Sequence, residues 1–458
     1  MHIIMIILLA QVLSTMPVPL VGSVGDFKHA HKQEPFKVLR ATPATSHQLA
    51  LLKHLRNHAH TYKTDFWTDP RRVNMSVDIM VNPKGRNRLE SLLSNKGVSY
   101  YFTVDDVQRL IEQMEVEKPK MMSGFRRHDF RASSGPFINF YQYHNYSEIS
   151  SYLYSVQRRY PDIARVHVIG YSHENRPILT IQIGYPLTNN ENNAIWIDAG
   201  MHAREWASQT SAVYIIFKLV TEFSNRSRMR KYIYNLTWYI TPVANPDGYE
   251  YTRSSTKPDV RLWRKNRSPT ECYGKTNFCC KGVDLNRNFD FYWGGAGSSN
   301  FPCEDTYGGK EPFSEPESRA IRDFVWARRS TIKAFITIHT YSQLWIHPYS
   351  HKRHTYPDDL SDLRSTAIRA TEALKSLYGT VFKVGSGADL LYPSAGGSDD
   401  WSKNAAKIKY VYLLELRPDE DRRYGFIVDP DQLLPIARET WEGIRVVADK
   451  VIEQQGRI

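Results

Sequence analysis

No stretch of this chain approaches the roughly 18 consecutive apolar residues that a membrane-crossing helix needs, so no part of it reads as a membrane span. Cysteine is scarce. The four, Cys272, Cys279, Cys280 and Cys303, fall in one short region, and no two have the C-x-x-C spacing that would point to a cysteine-bound zinc. No internal repeat is visible, which excludes a repeat architecture, and with 41% hydrophobic and 12% aromatic residues low-complexity disorder is excluded over most of the length. Acidic residues are the minority charge, 48 against 60 Lys and Arg, for a net +12. The basic residues are scattered and no nucleic-acid-binding motif accompanies them, so the excess reads as solvated surface and no nucleic acid partner is expected.

The first apolar run is short, Ile3 to Ala10 in "MHIIMIILLAQVLSTMPVPLVGS", and is followed by small residues near Ser23. It reads as a secretory signal over residues 1–23 and places the protein outside the cell. There the four cysteines are expected to pair as two local disulfides. Sequons at Asn74, Asn145, Asn225, Asn235 and Asn266 would allow glycosylation, although Asn235 leads into the apolar "LTWYIT", which argues against its access.

With 458 residues the chain has room for two or three domains. "VDIMVNP" and "VSYYFT" read as strands. "GRNRLESLLSNKG", stopped by Gly97, and "VDDVQRLIEQMEVE", with Val107, Leu110 and Ile111 on one face, read as helices. They predict a small α/β domain over about residues 35–115. "KPKMMSGFRRHDFRASSGP" then has no apolar period and several basic residues, notably Arg126, Arg127 and Arg131, and reads as a cleavable linker. Beyond it the apolar runs "AIWIDAG", "LTWYITPVANPDG", "AFITIHTYS" and "YVYLLELR" alternate with helical stretches such as "SQTSAVYIIFKLVTEF" and "PESRAIRDFVWARRS". The predicted fold is α/β, a mixed, mostly parallel sheet flanked by helices.

Ligands of such sheets bind beyond the carboxyl ends of the strands. There "AIWIDAG" leads to His202 and Glu205, "AFITI" to His339 and "YVYLL" to Glu415. One His-x-x-Glu is weak evidence, and His31 with Glu34 repeats the spacing in a polar stretch. Two imidazoles and a carboxylate at neighbouring strand ends, however, form an N/O set suited to zinc with a fourth position left to water.

The motifs "GMHAREW", "VANPDGYEYT", "RLWRKNRS", "GVDLNRNFD", "TIHTYSQLWIHPYS", "LYPSAGGSDDW", "LLELRP" and "RYGFIVDPDQLLPIARETW" resemble, in order, the secreted zinc metallocarboxypeptidases of the pancreatic type, most of all those of the B kind. The resemblance runs from about residue 132 to 458, and the segment 24–131 resembles the family's activation propeptide. It implies one Zn2+ held by His202, Glu205 and His339, with Asp284 accepting the other N–H of His202. Glu415 becomes the general base and Arg264 the support of the developing oxyanion. Asn286, Arg287 and Tyr392 would hold the substrate's terminal carboxylate, while Arg204, Tyr341 and Arg261 match positions touching the residues before the scissile bond.

Asp399 matches the floor of the pocket for the last side chain, and with Gly387 and Ser350 it implies a preference for C-terminal Lys or Arg. The neighbouring Asp400 competes for that position. The resemblance pairs Cys280 with Cys303, leaving Cys272 for Cys279. It also implies a propeptide that inhibits its own enzyme, activation by a trypsin-like protease at Arg131, substrates that are peptide and protein C-termini, and a monomer. The alternatives are a broader or apolar C-terminal preference and a non-catalytic binding protein on the same fold.

Overall fold

Along Lys37–Thr42 alternate side chains point to opposite faces of a sheet, as a strand requires. Leu39 and Ala41 enter one apolar cluster and Val38 another. This is β1 of a computed structural model that describes residues 34–117, 136–188, 192–224, 230–272, 279–420 and 424–455. The signal reading over 1–23, the linker arginines 126, 127 and 131, and the sequon at Asn225 lie outside the described residues.

β1 joins β2 (Thr64–Phe66), β3 (Val77–Val81) and β4 (Ser99–Val104) in an antiparallel sheet of order β2-β3-β1-β4. Helices Ser46–Asn57 and Pro83–Asn95 cover one face with Leu52, Leu55, Leu89 and Leu93. Their starts follow from local chemistry, since Thr45 caps the first and Asn82, followed by Pro83, caps the second. The opposite face, with Val38, Met80 and Val104, packs together with Val107, Leu110 and Ile111 against Leu262, Tyr341, Phe426 and Ile427 of the larger part. The reading of "VDDVQRLIEQMEVE" as one helix needs correction. An α-helix runs over Val107–Ile111, capped by Asp106, and Glu112–Glu117 continue as π-helix.

The larger part is built on β5 (Ala164–Tyr171), β6 (Pro177–Ile183), β7 (Ala194–Ala199), β8 (Thr237–Thr241), a two-stranded ribbon of β9 (Glu271–Cys272) and β10 (Cys279–Cys280), β11 (Ile332–Thr340), β12 (Leu344–His347), β13 (Lys383–Ser386) and β14 (Tyr410–Leu416). Eight of these form one sheet of order β13-β12-β14-β11-β7-β8-β6-β5. Its interior pairs β14-β11, β11-β7 and β7-β8 are parallel, as is β12-β13, and the other three pairings are antiparallel. The interior strands are buried on both faces. Ile195 and Ile197 face helices Trp206–Ser224, Leu360–Tyr378 and Pro430–Gln455, and Trp196 faces Pro316–Ala327 and Ser398–Asn404. This explains why these strands read as continuous apolar runs.

Both expected disulfides are present, Cys272 to Cys279 and Cys280 to Cys303. Two sequons behave differently from expectation. Asn235 is exposed, because the apolar strand begins only at Thr237. Asn266 is fully buried with its amide on Glu315 and Glu317, so the folded protein has no room for a glycan there.

Candidate metal centre and active site

Register brings the site together. In the β11-β14 ladder His339 stands opposite Glu415, and in the β11-β7 ladder Ile338 stands opposite Ala199, the last residue of β7. The chain leaves β7 through Gly200, at φ +67°, a left-handed conformation that favours glycine. It then places His202 and Glu205 immediately before helix Trp206–Ser224.

His202 Nδ1 lies 2.8 Å from Glu205 Oε1, His339 Nδ1 lies 3.0 Å from Glu205 Oε2, and the two Nδ1 atoms are 3.1 Å apart. The proton positions follow from the outer partners. Asp284 Oδ1, 3.1 Å from His202 Nε2, can only accept. Thr337 Oγ1 donates to Asp198 at 2.7 Å and therefore accepts from His339 Nε2 at 3.0 Å. Both Nδ1 atoms are then left as lone pairs, converging with a carboxylate in a buried space. Three donors facing one another without a proton between them repel unless a cation lies among them, and N, N and O at these separations suit zinc. The residues fit the ion.

Burial opposes ionisation of Glu205, but positive charge at the His202 and His339 positions outweighs it and holds that carboxyl well below the usual range, a part that a bound cation would take over. Glu415 is the reverse case, pushed up to about 8 by burial and by Glu205, and its Oε2 is buried with no hydrogen-bond partner. Asp284 is satisfied twice over, because Arg264 donates to its Oδ2 from Nε at 3.0 Å and Nη2 at 2.9 Å. Arg264 Nη1 lies 3.9 Å from Glu205 Oε1.

His202, Glu205, Arg264 and Glu415 line a cavity of about 140 Å³ whose wall also contains Asn286, Arg287, Tyr392, Ser350, Gly387 and Asp399. Arg287 donates to the Tyr392 hydroxyl at 3.0 Å and to the Asn286 carbonyl at 2.8 Å. Asp399 is 2% exposed and its Oδ2 accepts from Ser350 Oγ at 3.1 Å. Asp400 is absent from the lining; its carboxylate takes the Ser350 amide at 2.8 and 2.9 Å and the His351 amide at 3.0 Å. A Cβ at Gly387 would stand 2.2 Å from Ser350 Oγ.

The N-terminal domain forms one side of the cavity. Asp65 accepts from Arg204 at 2.8 and 3.0 Å, Tyr341 donates to the Trp67 carbonyl at 3.4 Å, and Arg56 stacks over the Tyr392 ring with 5.2 Å to its centroid. Glu115 pairs with the fully buried Arg261, at 2.7 Å from Nη2. Arg204, Tyr341 and Arg261 are thus all engaged from the N-terminal side. Sequence reasoning missed Thr337 and Asp198, although a lone Asp inside the apolar "AIWIDAG" is a usable signal. It also missed Arg56, Asp65 and Glu115, whose partners are remote in sequence and leave no local mark.

Comparison with known proteins agrees with this architecture. A family model described as zinc carboxypeptidase matches residues 149–443, and one described as carboxypeptidase activation peptide matches residues 39–114. The chain is 35% identical to carboxypeptidase A2 of Mus musculus over 93% of its own length and 97% of the relative's. It is 40% identical to carboxypeptidase B of Astacus astacus over 68% and 97%. Among solved structures, thrombin activatable fibrinolysis inhibitor superposes with a TM-score of 0.77 at 31% identity, covering 92% of this chain and 99% of the other. Carboxypeptidase A of Helicoverpa armigera does so with 0.79 at 28%, covering 92% and 98%. The chain therefore belongs to the zinc carboxypeptidase family and is a procarboxypeptidase, with that family's activation peptide ahead of its catalytic part.

Proposed function

We propose that the activated protein removes C-terminal Lys or Arg from peptides and proteins. The observation that carries this is Asp399, a carboxylate buried in the cavity wall with no Lys or Arg paired to it among the described residues. An unpaired buried charge costs on the order of 3 to 5 kcal/mol, so a substrate that supplies the counter-ion is favoured over an apolar one by about a hundredfold or more. Asp400 is already used by backbone amides, which leaves Asp399 for the substrate. Glycine at 387 keeps open the space beside Ser350 that a long cationic side chain would occupy. Whole-chain likeness to relatives named carboxypeptidase A does not bear on this point, since one pocket residue decides the sign of the charge recognised.

His202, Glu205 and His339 would hold zinc, which supplies the Lewis acidity that lets water attack a peptide carbonyl near neutral pH. Glu415 takes the proton of that water and returns it to the leaving amine. Arg264, fixed by Asp284, faces the negative charge that grows on the carbonyl oxygen. Arg287 offers a planar fork to the terminal carboxylate, with Asn286 and the Tyr392 hydroxyl beside it.

Before activation the N-terminal domain occupies the groove where the preceding residues of a substrate would lie, and it engages Arg204, Tyr341 and Arg261. Cleavage of the linker at Arg131 by a trypsin-like protease frees them. A signal over 1–23 and two disulfides support action outside the cell.

The test is limited trypsin treatment of the purified precursor, followed by hydrolysis of hippuryl-arginine and hippuryl-phenylalanine with and without a chelator. Chelator-sensitive activity that strongly prefers the Arg substrate is expected. A preference for Phe refutes the role of Asp399.

A further inference from the structure

The turn between β5 and β6 and the segment leading into helix Pro316–Ala327 bring together a second set of metal-ligating side chains. A nitrogen of His173 and one carboxylate oxygen each of Glu315 and Glu317 lie within 4.8 Å of one another, with His173 Nε2 2.8 Å from Glu315 Oε2. Glu315 is 3% exposed and Glu317 is 0% exposed. Neither carboxylate forms an ion pair with Lys or Arg among the described residues; the partner of Glu315 is the His173 imidazole, whose side chain keeps 25% of its surface in solvent.

Hydrogen bonds settle only one of the two carboxylates: those from His173, Asn266 and Ser314 offset the burial of Glu315 and hold its carboxyl below the usual range, whereas Glu317 is less well supplied. Asn266 Nδ2 is shared between them, at 2.7 Å from Glu315 and 3.0 Å from Glu317. Ser314 Oγ donates to Glu315 at 2.7 Å, and the His173 amide reaches Glu317 only at 3.4 Å. The guanidinium on this turn is not available either, since Arg176 is held by Asp247 at 2.7 Å and by Glu174. Burial accordingly pushes the Glu317 carboxyl up to about 7. Buried carboxylates are ordinarily paired with a cation or coordinate one.

We propose that His173, Glu315 and Glu317 form a second divalent-cation site, distinct from the His202, Glu205 and His339 group, that pins the β5-β6 turn to the start of helix Pro316–Ala327. One imidazole and two carboxylates are an N/O set of the kind that zinc and its first-row neighbours take. The exposed edge of His173 provides the entry path and leaves room for water as a further ligand. The role is structural. Asn266, which braces both carboxylates, also accepts the Val283 amide at 2.8 Å through its Oδ1, and Asn288 Oδ1 accepts the Glu315 amide at 3.1 Å. The cation thus stiffens the frame from which Asp284 and Arg287 project, without touching substrate.

The experiment uses the full-length zymogen dialysed against zinc buffered near about 1 μM free metal, with metal per chain counted by elemental analysis. Wild type is compared with His173→Ala and with Glu317→Gln, which keeps the shape of the side chain and removes the charge. About two equivalents are expected in wild type and about one in each variant, and the zinc-induced rise in thermal midpoint at this site should be lost in both. Equal metal content in all three proteins overturns the proposal, as does filling of the second site in wild type only at about millimolar zinc. Because neither substitution touches the catalytic group, the one-equivalent difference reads this site alone, whatever fills the other.

Discussion

Asp399 sits fully buried beside Asp400, and burial together with that neighbour's charge pushes its carboxyl up to about 7. In the unfolded chain the same group titrates near ~3.9. Between those values the unfolded state has already lost its proton while the folded state still holds one, so stability falls as pH rises from about 4 to about 7 and the deficit is complete above that. Asp399→Asn should therefore raise the thermal midpoint by several degrees at pH 8 and leave it unchanged at pH 4, measured by calorimetry on the zymogen. The same substitution should cost about a hundredfold or more in kcat/KM on C-terminal Arg after activation. With wild type, the KM advantage of an Arg substrate over its uncharged citrulline counterpart should shrink as pH falls below about 7, because only ionised Asp399 attracts the guanidinium. Taking the ratio cancels titrations common to both substrates. At Glu415, substitution by Gln should lower turnover by at least about 10²-fold with the metal content unchanged, since in the proposed mechanism the residue moves a proton and holds no ion.

At the scale of elements, the active site depends on three neighbouring strands stopping in register. β7, β11 and β14 were legible as apolar runs because they are buried on both faces, and the polar residues that end them stood out for the same reason. β1 was not legible. "KVLRAT" is short, and its buried Arg40, bonded to Asp78, breaks the apolar pattern. The relay from Thr337 to Asp198 was equally hidden, since one hydroxyl and one carboxylate on apolar strands show no sign in the sequence of facing each other across β7 and β11. Yet it fixes which His339 nitrogen is free to bind. Thr337→Val removes the acceptor while keeping the side-chain shape, and should weaken zinc affinity by about 10–100-fold in competition with a chelating dye.

Across the whole molecule, the contacts proposed to keep the precursor latent join segments about 140 residues apart, such as Asp65 with Arg204 and Glu115 with Arg261. No local pattern announces such pairs, which is why a propeptide could be read from its elements while its grip on the site could not. Asp65→Asn combined with Glu115→Gln should raise hydrolysis of small substrates by the uncut zymogen and should leave the activated enzyme unaltered, since both residues depart with the propeptide.

Every proposed catalytic step requires one ion held where the strand ends meet, and anomalous diffraction at the zinc edge from crystals of the purified zymogen tests for it most directly. A peak at about 2.0–2.2 Å from His202 Nδ1, His339 Nδ1 and a Glu205 carboxylate oxygen is predicted. A zinc-loaded crystal with no density among those three residues contradicts it.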